Sequence, residues 1–324
     1  MIVDTNLFSI EKTGSAMKKI AILVFICLFL LGCNLPFTIS MKTAEPTTAE
    51  TEVITEAVPA TQAVTEAPAA TVTEAVTPEP LNGTELNLGG VYMVLPPCLA
   101  TGATGTIIAA IPYDEMNGPM EFYPQNRKIS FQGYPLSGKF FTVDNPDKTG
   151  GLVIYPVADF VAMEDSIGDR VSEMQNLLAT QPAAPDGIPL LPIFNAAQIY
   201  HMQVKYLNFQ NGQGVRFLTV YGQYYAPVSN HELIYAFQGL TADGKYWVSA
   251  IMPINAAYLQ DTAESVNVPA GGIVAPGFSD PNYEQNMATY GVQITDKINT
   301  TPNTDFTPTL DCLDGFFQSL SIGD

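Results

Sequence analysis

Residues 199–209, 214–225, 232–240 and 245–254 form four strand-like runs, and only short turn sequences separate them. These are Asn211-Gly212, the segment 227–230 with Pro227 and Asn230, and Ala242-Asp243-Gly244. Links this short force successive strands side by side and antiparallel, so the block predicts a four-strand meander over 199–254. In its last run Tyr246, Val248, Ala250 and Met252 alternate with Lys245, Trp247, Ser249 and Ile251. Successive strand residues point to opposite faces, and Trp247 and Ile251 make the second face partly apolar as well. Such a sheet must be covered.

The flanking sequence supplies both more strand and the cover. Upstream, residues 90–95, 104–112, 128–134 and 151–156 are short apolar or β-branched runs punctuated by Pro, Gly and Asn. Asp165 and Ser166 can cap a helix whose apolar residues Ile167, Val171, Met174, Leu177 and Leu178 recur at helical spacing before Pro182 and Pro185 end it. Downstream, Asp280-Pro281 opens a helix with the stripe Tyr283, Met287, Tyr290, Ile294 and Ile298. Thr307-Pro308 repeats the device before Leu310, Leu313, Phe317 and Leu320. The expected fold class is α+β, a predominantly antiparallel sheet with about three packed helices.

This folded part begins near Leu86. Residues 42–85 are Thr, Glu, Ala, Pro and Val, with Thr-Glu-Ala recurring from Thr55, Thr65 and Thr73 and no aromatic residue. Such a tract buries too little apolar surface to offset its ordering entropy, and Pro46, Pro59, Pro68, Pro78 and Pro80 keep it extended. It reads as a disordered stalk with a reach of up to ~130 Å. Residues 86–324 then make a single domain of 239 residues, with 182–196 the place where two subdomains would part. That domain carries 22 acidic against 9 basic side chains, a net charge of −13. An acidic surface repels phosphate backbones and anionic headgroups, which argues against nucleic-acid binding.

At the start of the chain, Lys18 and Lys19 precede the apolar run 20–31, which is too short to span a bilayer and right for a signal peptide. Leu30-Leu31-Gly32-Cys33 resembles the lipobox of bacterial lipoproteins. The resemblance implies that residues 1–32 are removed and that Cys33 becomes a lipid-bearing first residue holding the chain to a membrane, outside the cytoplasm. Asp4 and Glu11 are foreign to a signal peptide, so the economical start of translation is Met17. Asn34 follows the cysteine, where Asp often marks retention at the inner membrane in that family. A second resemblance, of layout alone, joins the last 130 residues to small sheet-and-helix folds of the PsbP and Mog1 type, which end in a helix and a short apolar segment like 320–322. It implies a binding or assembly-factor role.

Two further cysteines, Cys98 and Cys312, suggest a disulfide in an exported protein, worth about 4 to 5 kcal/mol for so long a loop; two buried thiols are the alternative. Neither they nor His201 and His231 have zinc-ligand spacing, and no nucleophile, zinc-peptidase or P-loop motif occurs. No metal and no cofactor is expected. His201 reads as a strand residue rather than a catalytic base, and residues 144–150 as a turn rather than a calcium loop. The aromatic residues of the meander offer a binding surface for a glycan, peptide or envelope protein. Tyr224, Tyr225 and Trp247 are its candidates, with Arg216 as a partner for a carboxylate or an anionic ligand. The sequence therefore points to a lipid-anchored, non-catalytic binding or envelope-assembly domain. Its rival is an extracytoplasmic hydrolase, such as a glycosidase, using paired carboxylates.

Overall fold

The computed structural model describes residues 81–114, 122–136, 150–194, 196–265 and 267–324. The signal run, Cys33, the tract up to residue 80 and the turn at 144–149 lie outside the described residues. Ala75–Asp324 forms one compact unit.

Its strands are β1 Thr84–Leu88, β2 Val91–Leu95, β3 Gly102–Ile108, β4 Asn126–Gln132, β5 Gly151–Pro156, β6 Ala197–Gln198, β7 Met202–Phe209, β8 Gly212–Thr219, β9 Tyr221–Gly222, β10 Ile234–Thr241, β11 Tyr246–Pro253, β12 Asn255–Ala256, β13 Phe306–Thr307 and β14 Ser321–Ile322. The helices are α1 Val157–Val161, α2 Ser166–Thr180, α3 Tyr283–Thr300 and α4 Leu310–Gln318.

The four meander strands are neighbours in the expected order, but they do not make the sheet alone. β5, β4 and β3 extend it beyond β11 to seven strands in the order β3-β4-β5-β11-β10-β8-β7, every pair antiparallel. The helix count also rises from about three to four among the described residues. β10, the strand between β8 and β11, is buried along its whole length and serves both faces. Tyr235 and Phe237 join one hydrophobic cluster with Val248, Ala250 and Met252 of β11, under α3 and α4. Ala236 and Leu240 join the other with Trp247, under α1, α2 and the segment carrying Ile188, Leu190 and Leu191. Both faces of the sheet are thus covered, as the alternation in β11 requires.

Close packing is visible at Gly214, where an added Cβ would come within 2.4 Å of Phe237 Cζ and 2.7 Å of Gln238 O. A smaller sheet, β1-β2-β14, returns the end of the chain to its beginning. Its hairpin turns on Gly89 and Gly90, both at positive φ, which suits the tight turn between right-twisted strands. β1 opens at Thr84, slightly ahead of the expected boundary at Leu86. The expected cap at Thr307-Pro308 falls two residues late. That peptide bond is cis, and the N-cap is Thr309, whose side chain accepts from Cys312 N at 3.2 Å. Cys98 and Cys312 stand at disulfide distance, with Sγ atoms 2.12 Å apart and Cα atoms 6.3 Å apart.

Candidate ligand groove

The outward side of α3 and two loops enclose an open groove of about 1000 Å³. Tyr224 and Tyr225 enter it from the connection after β9, and Phe278 from the loop ahead of α3. Met287, Ala288, Gly291 and Val292 of α3 and Tyr200 also line it. The periodicity of α3 explains this division. Its stripe Met287, Tyr290, Ile294 and Ile298 is buried against the core, with Met287 at the edge that reaches the groove floor, which leaves Ala288, Gly291 and Val292 on the groove side.

Polar contacts hold the walls. Asp280 Oδ1 accepts from Asn282 N and Oδ2 from Asn286 Nδ2, both at 2.8 Å, fixing the start of α3. Tyr283 OH donates to Tyr225 O at 3.1 Å, and its ring stacks on Phe278 with centroids 5.4 Å apart. Tyr290 OH accepts from Val228 N at 2.9 Å, tying the tyrosine loop to the helix; burial first of all pushes that phenol up to about 12. Tyr200 is 7% exposed, and its hydroxyl is buried without a partner. Burial, then the neighbouring Tyr290, Tyr225 and Tyr283, raise its pKa.

The other two sequence candidates lie elsewhere. Trp247 is fully buried, its Nε1 donating to Gln238 Oε1 at 2.7 Å, so it is a core residue and not a binding platform. Gln238 also accepts from Leu191 N at 3.1 Å and donates to Ser249 Oγ at 2.9 Å, which pins the 188–191 segment to the sheet. Arg216, 2% exposed, is likewise withdrawn from any ligand. Its Nε meets Asp314 Oδ1 at 3.1 Å, and its Nη1 donates to Gln203 O; Lys205 Nζ meets Asp314 Oδ2 at 2.8 Å. A buried guanidinium is held by a carboxylate where no water is available to do so. Gln203, at φ 51, occupies the irregularity in β7, and its Nε2 donates to Ile298 O at 2.8 Å and Thr301 O at 3.0 Å. The groove-lining aromatic residues not singled out as site candidates in the sequence are Tyr200, Phe278 and Tyr283. A large aromatic residue at Gly277-Phe278-Ser279, just ahead of a helix cap, is the signal that marks one of them.

A second hollow, of about 570 Å³, lies where α2 meets the 182–198 segment and includes Arg170, Glu173, Asp186, His201 and Tyr221. Burial lowers the pKa of His201 against the opposing charge of Asp186, and its Nε2 has no partner. Glu173 and Asp186 are both exposed, so neither has the apolar burial that equips a glycosidase's general acid. Among the described residues no group of three His, Cys, Asp or Glu side chains is placed to hold a metal ion. No helix among them is long and apolar enough to cross a membrane. Comparison with protein-family models, with curated proteins and with solved structures gives no match.

Proposed function

We propose that this chain is an exported lipoprotein, anchored through Cys33, whose α+β domain captures a ligand in the aromatic groove at the end of a stalk. The observation that carries the capture role is a concentration of exposed apolar surface. Tyr224 (65% exposed), Tyr225 (62%), Phe278 (74%) and Val292 (64%) are four of the nine exposed large apolar side chains among the described residues, and all four line this one groove. Water-facing aromatic residues gathered in a concavity are costly for a soluble domain unless a ligand covers them. The anchor rests on Lys18, Lys19, the apolar run and Leu30-Leu31-Gly32-Cys33.

A thermal-shift screen of glycans and peptides against the full chain tests the capture role. A binding ligand should raise the melting temperature of the parent chain but not of the Tyr224→Ala, Tyr225→Ala double variant. If every ligand class leaves the parent unmoved, the groove has no capture role and the domain serves assembly instead. For the anchor, Cys33→Ala should abolish incorporation of radiolabelled lipid in a bacterial host; persistent labelling would refute the assignment.

A further inference from the structure

Five aromatic rings line the groove, those of Tyr200, Tyr224, Tyr225, Phe278 and Tyr283. Its ionisable groups apart from the phenols are Glu284 and Asp296, and among the described residues no lysine, arginine or histidine lines it. Ring faces carry negative potential and both rim charges are negative, so the groove attracts cations and repels anions. Resting on the capture role proposed above, we propose that the groove binds an organic cation, a quaternary ammonium group carried on an apolar body.

Three features select this class over its neighbours. Glu284 and Asp296 are twelve positions apart on α3, about 18 Å along the helix, so they cannot chelate one small metal ion. Along α3 the middle of the groove is Ala288, Gly291 and Val292, and its polar side chains apart from the phenols are Glu284, Thr295 and Asp296 toward the ends, so a hydroxyl-rich ligand would meet few hydrogen-bond partners along its body, which disfavours a sugar. A quaternary ammonium has no N–H to satisfy and sheds its water at low cost, which suits rings better than a primary ammonium does. The cation belongs at the Glu284 end, beside the stacked Phe278 and Tyr283, with its apolar body along α3 toward Val292.

Isothermal titration of the full chain decides this, with choline and benzyltrimethylammonium as probes. Controls are the uncharged isostere of choline, in which carbon replaces the quaternary nitrogen, together with benzoate and chitobiose. Phe278→Ala should weaken cation binding about tenfold and Glu284→Gln about fivefold, while Asp296→Asn should weaken it less. Added salt should lower the affinity of the parent chain and have less effect on Glu284→Gln. All three variants change exposed positions, so circular dichroism should show them folded. If the isostere binds as well as choline, or chitobiose or benzoate binds and the cations do not, the cation inference falls and the capture role stands. If no probe binds and the wider ligand screen is also blank, both fall.

Discussion

Asp314 is nearly buried on α4, yet it accepts from Arg216 on one oxygen and from Lys205 on the other. Removing a buried carboxylate strands the guanidinium it neutralises, which costs more than the pair contributes. Asp314→Ala should therefore destabilise the chain by about 3 to 5 kcal/mol in urea denaturation, whereas Arg216→Met with Asp314→Leu should cost clearly less. Arg216 stood out in the sequence as one of three arginines in the domain, but its partner lies 98 positions away and nothing local reveals it. His201 makes a separate pH prediction. Burial holds its folded pKa below the ordinary 6.5, so as pH falls past that value the unfolded chain takes up a proton that the folded chain refuses. Stability is present above the ordinary value and is lost toward the lower folded one. The melting temperature should fall as the pH drops below about 6.5, and fall less in His201→Gln.

At the scale of elements, α4 is seated on the sheet by stacked rings. Phe317 lies parallel to Phe237 with centroids 4.3 Å apart and to Tyr235 at 5.6 Å. Phe317→Ala should cost about 3 to 5 kcal/mol in equilibrium unfolding, because a rigid ring stack closes poorly over the vacated volume. Val292→Ser on the outward side of α3 should change stability by less than about 0.5 kcal/mol. Helices α2, α3 and α4 were legible because each keeps an apolar stripe over several turns. The five-residue α1, running on directly from Pro156, is too short to show a period. β1 was hidden for a related reason: Thr-Glu-Leu-Asn-Leu mostly faces water and continues the polar text of the tract before it.

For the molecule as a whole, the legible part was the part held by short links. The turns of the meander forced β7, β8, β10 and β11 together, whereas β5 reaches β11 across more than eighty intervening residues, so the seven-stranded sheet could not be read from local spacing. The groove was obscured in the same way, since its rings come from three separated stretches around Tyr200, Tyr224 and Phe278. The cysteines were more legible, because the only two in the folded part are brought together. Their sequence separation is 214, and a loop of that size restricts the unfolded chain strongly. The Cys98→Ser, Cys312→Ser double variant should lose about 4 to 5 kcal/mol, measured as the shift in urea midpoint multiplied by the slope.

The Cys98–Cys312 pairing also determines what a protease can release. A single cut in the 257–282 segment divides the chain, but the fragment bearing α3 and α4 remains covalently joined to the fragment bearing Cys98. With β14 laid against β2, and Gly323 N donating to Gly90 O at 2.8 Å, that fragment is also held in register. A nicked molecule thus keeps its helical wall on the half that bears Cys98, and only a reductant sheds it.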